Sequence, residues 1–247
     1  MKNRKVVVII PSRYGSTRFE GKPLAAISGR PMIRWVYESA LKAGSIKNVY
    51  VATDDERIYK AVEQFGGNAL MTTSKNRSGT DRVAEAADRI GLGPDDIVVN
   101  IQGDQPLVDP RCFDQVVEPF FNIDSLEMTT LAFAIKDKRE ITDPKDVKVV
   151  FDADGMALYF SRSAIPFGRD SSDGFETYKH LGVYAYRKSF LDIFRTLPSG
   201  KLETIEKLEQ LRAMEFGHRI LVIVTPYDSP EVDLPEDIQR IENKMSR

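Results

Sequence analysis

Short, unalternating apolar runs alternate along the chain with segments whose apolar residues recur at helical spacing. The run KVVVII (5–10) is β-branched and shows no polar alternation, which predicts a strand buried on both faces of a parallel sheet. After a long loop, PMIRWVYESALKAG (31–44) sets Pro31 in a first turn, Ile33, Val36, Tyr37, Ala40 and Leu41 on one helical face, and Gly44 at the stop. Strands at 48–54, 68–72 and 96–104 and helices at 55–66 and 80–91 continue the pattern. Such alternation implies βαβ units and a mostly parallel sheet.

Beyond Pro106 the rhythm changes. A helix near 110–121 leads to strand-like runs at 127–135 and 147–161, the second divided by an Asp154-Gly155 hairpin signal. LGVYAYR (181–187), a helix at 189–197, a longer helix at 203–216, the strand RILVIV (219–224) and a helix from Pro235 follow. This half reads as antiparallel. Without repeats or a Pro-, Gly- or Ser-rich linker, residues 1–247 read as a single mixed α/β domain.

Composition narrows the function classes. The 247 residues are 42% hydrophobic and 29% charged, ample for a core, and the net charge of -2 creates no field toward nucleic acid or an anionic membrane. No apolar run approaches the roughly 18 residues of a membrane span, and residues 1–13 are too short for a signal sequence. A cytoplasmic enzyme with small-molecule partners is expected. Cys112 is the only cysteine and reads as a half-buried helix residue, while His180 and His218 are too far apart in sequence to suggest zinc.

The loop after the first strand holds the first candidate chemistry. GSTRFEGKP (15–23) approaches the phosphate-binding pattern G-x-x-x-x-G-K-[ST] but has one residue too many, and Pro23 replaces the hydroxyl. Arg13, Arg18 and Lys22 suit a polyphosphate, with Gly15 and Gly21 allowing close approach; a solvated basic loop is the plain alternative. Pro23 lacks an N–H and prevents a helix from starting at Lys22, so side-chain cations must do more of the work. No G-x-G-x-x-G occurs, which argues against a dinucleotide fold. In NIQGDQP (100–106), Asp104 follows a buried strand, where it can hold a hard cation such as Mg²⁺ or simply form a turn before Pro106. Asp233 in VDLPEDI has a similar ambiguity, because Asp233 followed by Glu236 also resembles a helix-capping box.

Seven collinear stretches, PSRYGSTRFEGKPL, SGTDR, NIQGDQP, ALYFSR, KHLGVYAYR, LEQLR and VDLPEDI, resemble the cytidylyltransferases that activate 3-deoxy-manno-octulosonate (Kdo), the CMP-Kdo synthetases. The resemblance covers about residues 5 to 240, with departures at Glu20 and Leu234. It implies a nucleotide-diphospho-sugar transferase (Rossmann-like) fold with an antiparallel sugar-side or dimerisation part, a homodimer, and Mg²⁺-dependent attack of the sugar's anomeric hydroxyl on the α-phosphate of CTP for lipopolysaccharide synthesis. On the matching positions Arg13 and Lys22, with Arg18, would hold the triphosphate, and Asp104 and Asp233 the metal. Arg77, Ser78 and Gly79 would face cytosine, and Arg162, His180, Tyr184, Glu209 and Gln210 the sugar. Some relatives act on an 8-amino analogue, whose ammonium would need an acidic partner; Asp170, Asp173 and Glu176 are candidates in the sequence. The alternatives are another acceptor sugar acid on the same architecture, or a nucleotide-binding module without turnover.

Overall fold

The computed structural model describes residues 4–15, 18–170 and 174–246. Strand β1 (Val6–Ser12) is buried at every position. Val6, Val8 and Ile10 enter the hydrophobic cluster on one face of the sheet, and Val7 and Ile9 the cluster on the other. Both faces are therefore covered, which is why the run does not alternate. β2 (Ala26–Ile27) and β3 (Arg30–Pro31) form a separate ribbon that the sequence pattern did not announce.

β1 pairs in parallel with β4 (Asn48–Thr53) and with β6 (Ile97–Ile101), and β5 (Asn68–Met71) lies in parallel beyond β4. On the opposite side, β10 (Tyr178–Arg187) runs antiparallel to both β6 and β7 (Met128–Ala134). β11 (Ile220–Thr225) then pairs in parallel with β7. β8 (Lys148–Phe151) joins β10, and β9 (Ala157–Ser161) closes its hairpin. Among the described residues this makes one nine-stranded, mixed, mostly parallel sheet. The second half is antiparallel as expected in its β10–β7, β10–β8 and β8–β9 pairings, with β11 against β7 the parallel exception.

α1 (Met32–Ala40) and α4 (Pro110–Val117) pack on the face of Val6, Val8 and Ile10. α2 (Glu56–Gln64) adds Ile58 and Val62 to that cluster. α3 (Gly79–Arg89) and α6 (Lys188–Thr196) cover the opposite face. Cys112 on α4 is fully rather than half buried, and burial pushes its thiol up to about 11. α5 (Arg139–Thr142) is a short turn of helix beside the cleft described below.

The helix expected over 203–216 is broken. α7 (Lys201–Glu206) and α8 (Gln210–Glu215) are separated by Lys207, in the left-handed region at φ 55°. The reversal brings Arg212, 2% exposed, onto Glu203 through contacts of 2.5 and 2.9 Å. Ile205 is consequently 76% exposed and lies outside the stripe formed by buried Leu208 and Leu211. α9 (Asp237–Met245) closes the chain with Ile241 buried.

The basic loop departs from a P-loop as its proline predicts. A single 3-10 turn occupies Lys22–Leu24, and α1 begins only at Met32. Gly21 has φ 69°, its N–H donates to the Tyr14 carbonyl at 2.9 Å, and a Cβ there would meet the Tyr14 ring at 3.0 Å. Gly21→Ala is expected to cost roughly 1–2 kcal/mol from the left-handed conformation alone, read as a lowered unfolding midpoint. An unchanged midpoint would show that the loop tolerates a side chain there.

Candidate active site

In open α/β sheets, ligands bind beyond the carboxyl ends of the strands, where loops from adjacent parallel strands diverge. The loops after β1 and β6 part here in that way, and the segment between β11 and α9 returns across them. A cleft of about 730 Å³ opens between these loops, lined by Arg13, Arg18, Lys22, Asp104, Glu231 and Asp233 on one side. Arg162, His180, Tyr184, Glu209 and Gln210 line it on the other.

At its centre the Lys22 ammonium lies 2.5 Å from Asp104 Oδ2 and 3.7 Å from Asp233 Oδ1, and donates to the Val232 carbonyl at 3.0 Å. The Arg18 guanidinium meets Asp233 Oδ2 at 3.0 Å, and Arg13 is exposed at the cleft. The capping-box alternative for Asp233 does not hold. Asp237 Oδ2 accepts the N–H groups of Asp233 and Leu234, each at 2.9 Å, which leaves the Asp233 carboxylate for the two cations.

The base-side residues form the N-terminus of α3. Ser78 caps it by accepting from Asp81 N at 3.1 Å, and Arg77 pairs with Asp81. Arg77, Ser78 and Gly79 line a smaller hollow of about 150 Å³ with Arg13 and Glu209. Glu209 accepts from Gly79 N at 3.2 Å and from the Thr80 hydroxyl at 2.8 Å. Two groups assigned to different substrates are thus in direct contact.

On the sugar side, a register shift interrupts the β10–β7 pairing, yet His180 and Tyr184 share a face, with ring centroids 5.1 Å apart. Burial holds His180 neutral, pushing its pKa down to about 3, and its Nε2 lies 2.9 Å from the Thr130 hydroxyl. Arg162 donates from Nε to the Glu206 carbonyl at 2.7 Å and from Nη1 to the Pro144 carbonyl at 2.8 Å, which fixes its guanidinium beside the cleft. Lys179 lies 2.9 Å from both Glu140 and Asp228. Asp170 and Glu176 do not line the cleft, and Asp173 lies outside the described residues.

Sequence reading missed Ser12 and Asn100, although it singled out Asp104 and Gln210. Ser12 Oγ, Asn100 Oδ1, Asp104 Oδ1 and Gln210 Nε2 are buried cleft atoms without hydrogen-bond partners among the described residues. Such orphans are rare unless a ligand or water completes them. Of these residues Asn100 was the most visible, a polar residue inside the apolar strand IVVNI. Glu231 was also missed. The cleft walls and the negative charges of Asp104 and Asp233 push its carboxyl up to about 8, although the cleft leaves it open to water. Its position two residues before Asp233 was the available signal.

A cation-bearing loop and paired carboxylates at the carboxyl edge of such a sheet define an α/β protein of the nucleotidyltransferase class. Residues 7–220 match the cytidylyltransferase family model. The chain is 64% identical to a 3-deoxy-manno-octulosonate cytidylyltransferase of Desulfosudis oleivorans, over 98% of each chain. It is 57% identical to an 8-amino-3,8-dideoxy-manno-octulosonate cytidylyltransferase of Shewanella amazonensis, over 97% of this chain and 98% of the relative. Among solved structures, a CMP:2-keto-3-deoxy-manno-octonic acid synthetase complexed with CTP superimposes with a TM-score of 0.91 at 41% identity, over 98% of each chain. The chain belongs to the 3-deoxy-manno-octulosonate cytidylyltransferase (CMP-Kdo synthetase) family.

The geometry separates the duties of two neighbouring aspartates. Asp237→Ala removes the acceptor for two backbone N–H groups and is expected to cost about 1 kcal/mol of stability, the usual cost of a lost cap. Asp233→Ser is expected to cost less. Comparing the two unfolding midpoints checks the assignment, and a larger loss in the Asp233 variant would reverse it.

Proposed function

We propose that this protein joins CTP to Kdo or its 8-amino analogue, giving the CMP-sugar and pyrophosphate for lipopolysaccharide synthesis. The anomeric hydroxyl attacks the α-phosphorus, a new P–O bond forms as the bond to the β-phosphate bridge breaks, pyrophosphate departs with that bridging oxygen, and the hydroxyl proton passes to water. The observation that carries the reading is the convergence of Lys22 on Asp104 and Asp233, with the basic loop on one side and the His180–Tyr184 wall on the other.

Arg13, Lys22 and Arg18 neutralise the triphosphate and orient it in line with the acceptor; reactions of this kind depend mostly on positioning and charge. Arg77, Ser78 and Gly79 receive cytosine, partly through backbone groups at the start of α3. Arg162 pairs with the sugar carboxylate through the guanidinium N–H groups that the Glu206 and Pro144 carbonyls leave open. Neutral His180, Tyr184, Glu209 and Gln210 hold the sugar hydroxyls.

The residues also fit Mg²⁺. Asp104 Oδ1 is buried without a partner, and the Lys22 ammonium stands as a cation between the two aspartates. No group of three or more His, Cys, Asp or Glu side chains among the described residues is arranged to hold a metal. Asp104 and Asp233 would therefore share the ion with phosphate oxygens and water, as Mg²⁺ commonly binds. When bound, Mg²⁺ withdraws charge from the α-phosphate.

We read residues 1–247 as one nucleotidyltransferase domain, because strands from both halves share a sheet. No helix among the described residues is long and apolar enough to cross a membrane, and use of CTP supports a cytoplasmic location. The decisive assay is pyrophosphate release from CTP that requires both Mg²⁺ and an octulosonate. CTP is expected to outperform ATP and GTP, and Asp104→Asn to lower turnover by two orders of magnitude or more in a protein that stays folded at the assay temperature, with a lowered unfolding midpoint because Lys22 loses its nearest countercharge. Release without a sugar acid, or normal Asp104→Asn turnover at low Mg²⁺, would contradict the reading.

A homodimer completes the proposal. Leu158 on β9 is 59% exposed and Ile205 on α7 76% exposed, on elements tied by a 2.7 Å Ser161–Glu206 hydrogen bond. Light scattering at micromolar concentration is expected to give twice the chain mass, and Leu158→Glu with Ile205→Glu to give the single-chain mass. A monomeric wild type would contradict it.

A further inference from the structure

Glu231 is held in place by groups that have no other evident task. Gln105 is completely buried, and its amide orientation is fixed because the Ser229 hydroxyl donates to Oε1 at 2.9 Å. Nε2 must then face the other way, where it donates to Glu231 Oε1 at 3.1 Å. The strand beneath leaves room for this pair only because residue 182 is glycine. A Cβ on Gly182 would lie 2.8 Å from Gln105 Nε2 and 3.6 Å from Glu231 Oε1. Gly182 sits on β10 between His180 and Tyr184, so the relay opens into the sugar side of the cleft.

The charges nearby are unevenly spent. Lys22 and Arg18 are committed to Asp104 and Asp233. The Arg240 guanidinium is spent on the Glu231 carbonyl at 3.0 Å and the Asp237 carboxylate at 3.1 Å. The Glu231 carboxylate makes no ion pair among the described residues. Other carboxylates around the sugar side are engaged: Glu140 and Asp228 share Lys179, and Glu209 accepts from α3. Asp146 and Asp143, the latter with a carboxylate that accepts only from the Lys145 N–H among the described residues, are the remaining alternatives lining the cleft near α5.

We propose that Glu231, aimed by Gln105 and Ser229 over Gly182, is an acceptor-selecting residue that binds a cationic amino substituent of the sugar acid. This rests on the cytidylyltransferase reading and adds to it the choice between two acceptors. A carboxylate gains a charge-assisted hydrogen bond from an ammonium and a weaker one from a hydroxyl at the same position. The residue therefore favours the amino sugar over its hydroxyl counterpart, and discrimination of this type appears in the ratio of the two kcat/KM values.

The test measures kcat/KM for 8-amino-Kdo and for Kdo at fixed CTP and Mg²⁺ in the wild type, Glu231→Gln, Glu231→Asp, Ser229→Ala and Asp146→Asn, with unfolding midpoints for each. Glu231→Gln is expected to lower the amino-to-hydroxyl ratio at least tenfold. Glu231→Asp, which keeps the charge, retains more of the ratio, and Ser229→Ala shifts it in the Gln direction. A Glu231→Gln ratio within threefold of wild type overturns the assignment, as does a ratio that moves with Asp146→Asn instead. A wild type active on neither sugar sinks the underlying reading as well, whereas an active wild type with an unmoved ratio sinks only the role of Glu231.

Discussion

Three loops distant in sequence are joined at one ammonium group. Lys22 reaches Asp104, the Val232 carbonyl and Asp233, partners from the segments after β6 and after β11. Lys22 and Asp104 are only 15% and 18% exposed in their side chains, so neither charge is well served by water. Removing one partner of such a pair leaves an uncompensated charge in a partly dry site, which costs more than the pair itself contributes. The backbone follows the same arrangement, since Val232 N donates to the Asp104 carbonyl at 2.9 Å. A nucleotide site assembled from loops on different strands needs such a centre, because the sheet places the strand ends but not the loops beyond them.

The two walls of the cleft differ in electrostatic character. Arg13, Arg18 and Lys22 present positive charge where the triphosphate is expected, and Asp104 and Asp233 gather negative charge beside it. The anion excess is visible in Glu231, whose carboxyl is pushed up to about 8 by the cleft walls and the two aspartates. On the sugar wall the charge is instead muted: burial keeps His180 uncharged, and Lys179 is balanced by Glu140 and Asp228. A wall of hydrogen-bonding groups with the Arg162 guanidinium among them suits a polyhydroxylated acid, while the charged wall suits phosphates.

Much of this was legible in the sequence because the governing rules are local. The β-branched run of β1, the Pro23 block on helix initiation and the Asp104 position just past β6 each follow from a few neighbouring residues. What escaped depended on contacts between distant segments. The 203–216 pattern is sound helix by periodicity, yet the Glu203–Arg212 pair folds it back at Lys207. Asp233 and Glu236 resemble a capping box, but Asp237 collects the N–H groups instead. Glu231 matters through Gln105, 126 positions away, and sequence spacing carries no information about that contact.

The break at Lys207 also couples the larger cleft to the smaller hollow. A continuous helix would leave Glu209 on a solvated face; the reversal makes it the residue preceding α8, where its carboxylate accepts from the free N–H groups at the start of α3. That helix end carries partial positive charge, so an anion there is favoured. Arg212 fixes the arrangement from below, pairing with Glu203 and lying 3.8 Å from Asp81, which Arg77 holds from the base side. The N-terminus of α3 is therefore shared: its Ser78–Gly79 edge lines the smaller hollow, while its Gly79 and Thr80 donors position a side chain of the larger cleft. Any shift of α3 on filling the hollow would be transmitted directly to Glu209, which gives the fold a short physical route between the two hollows.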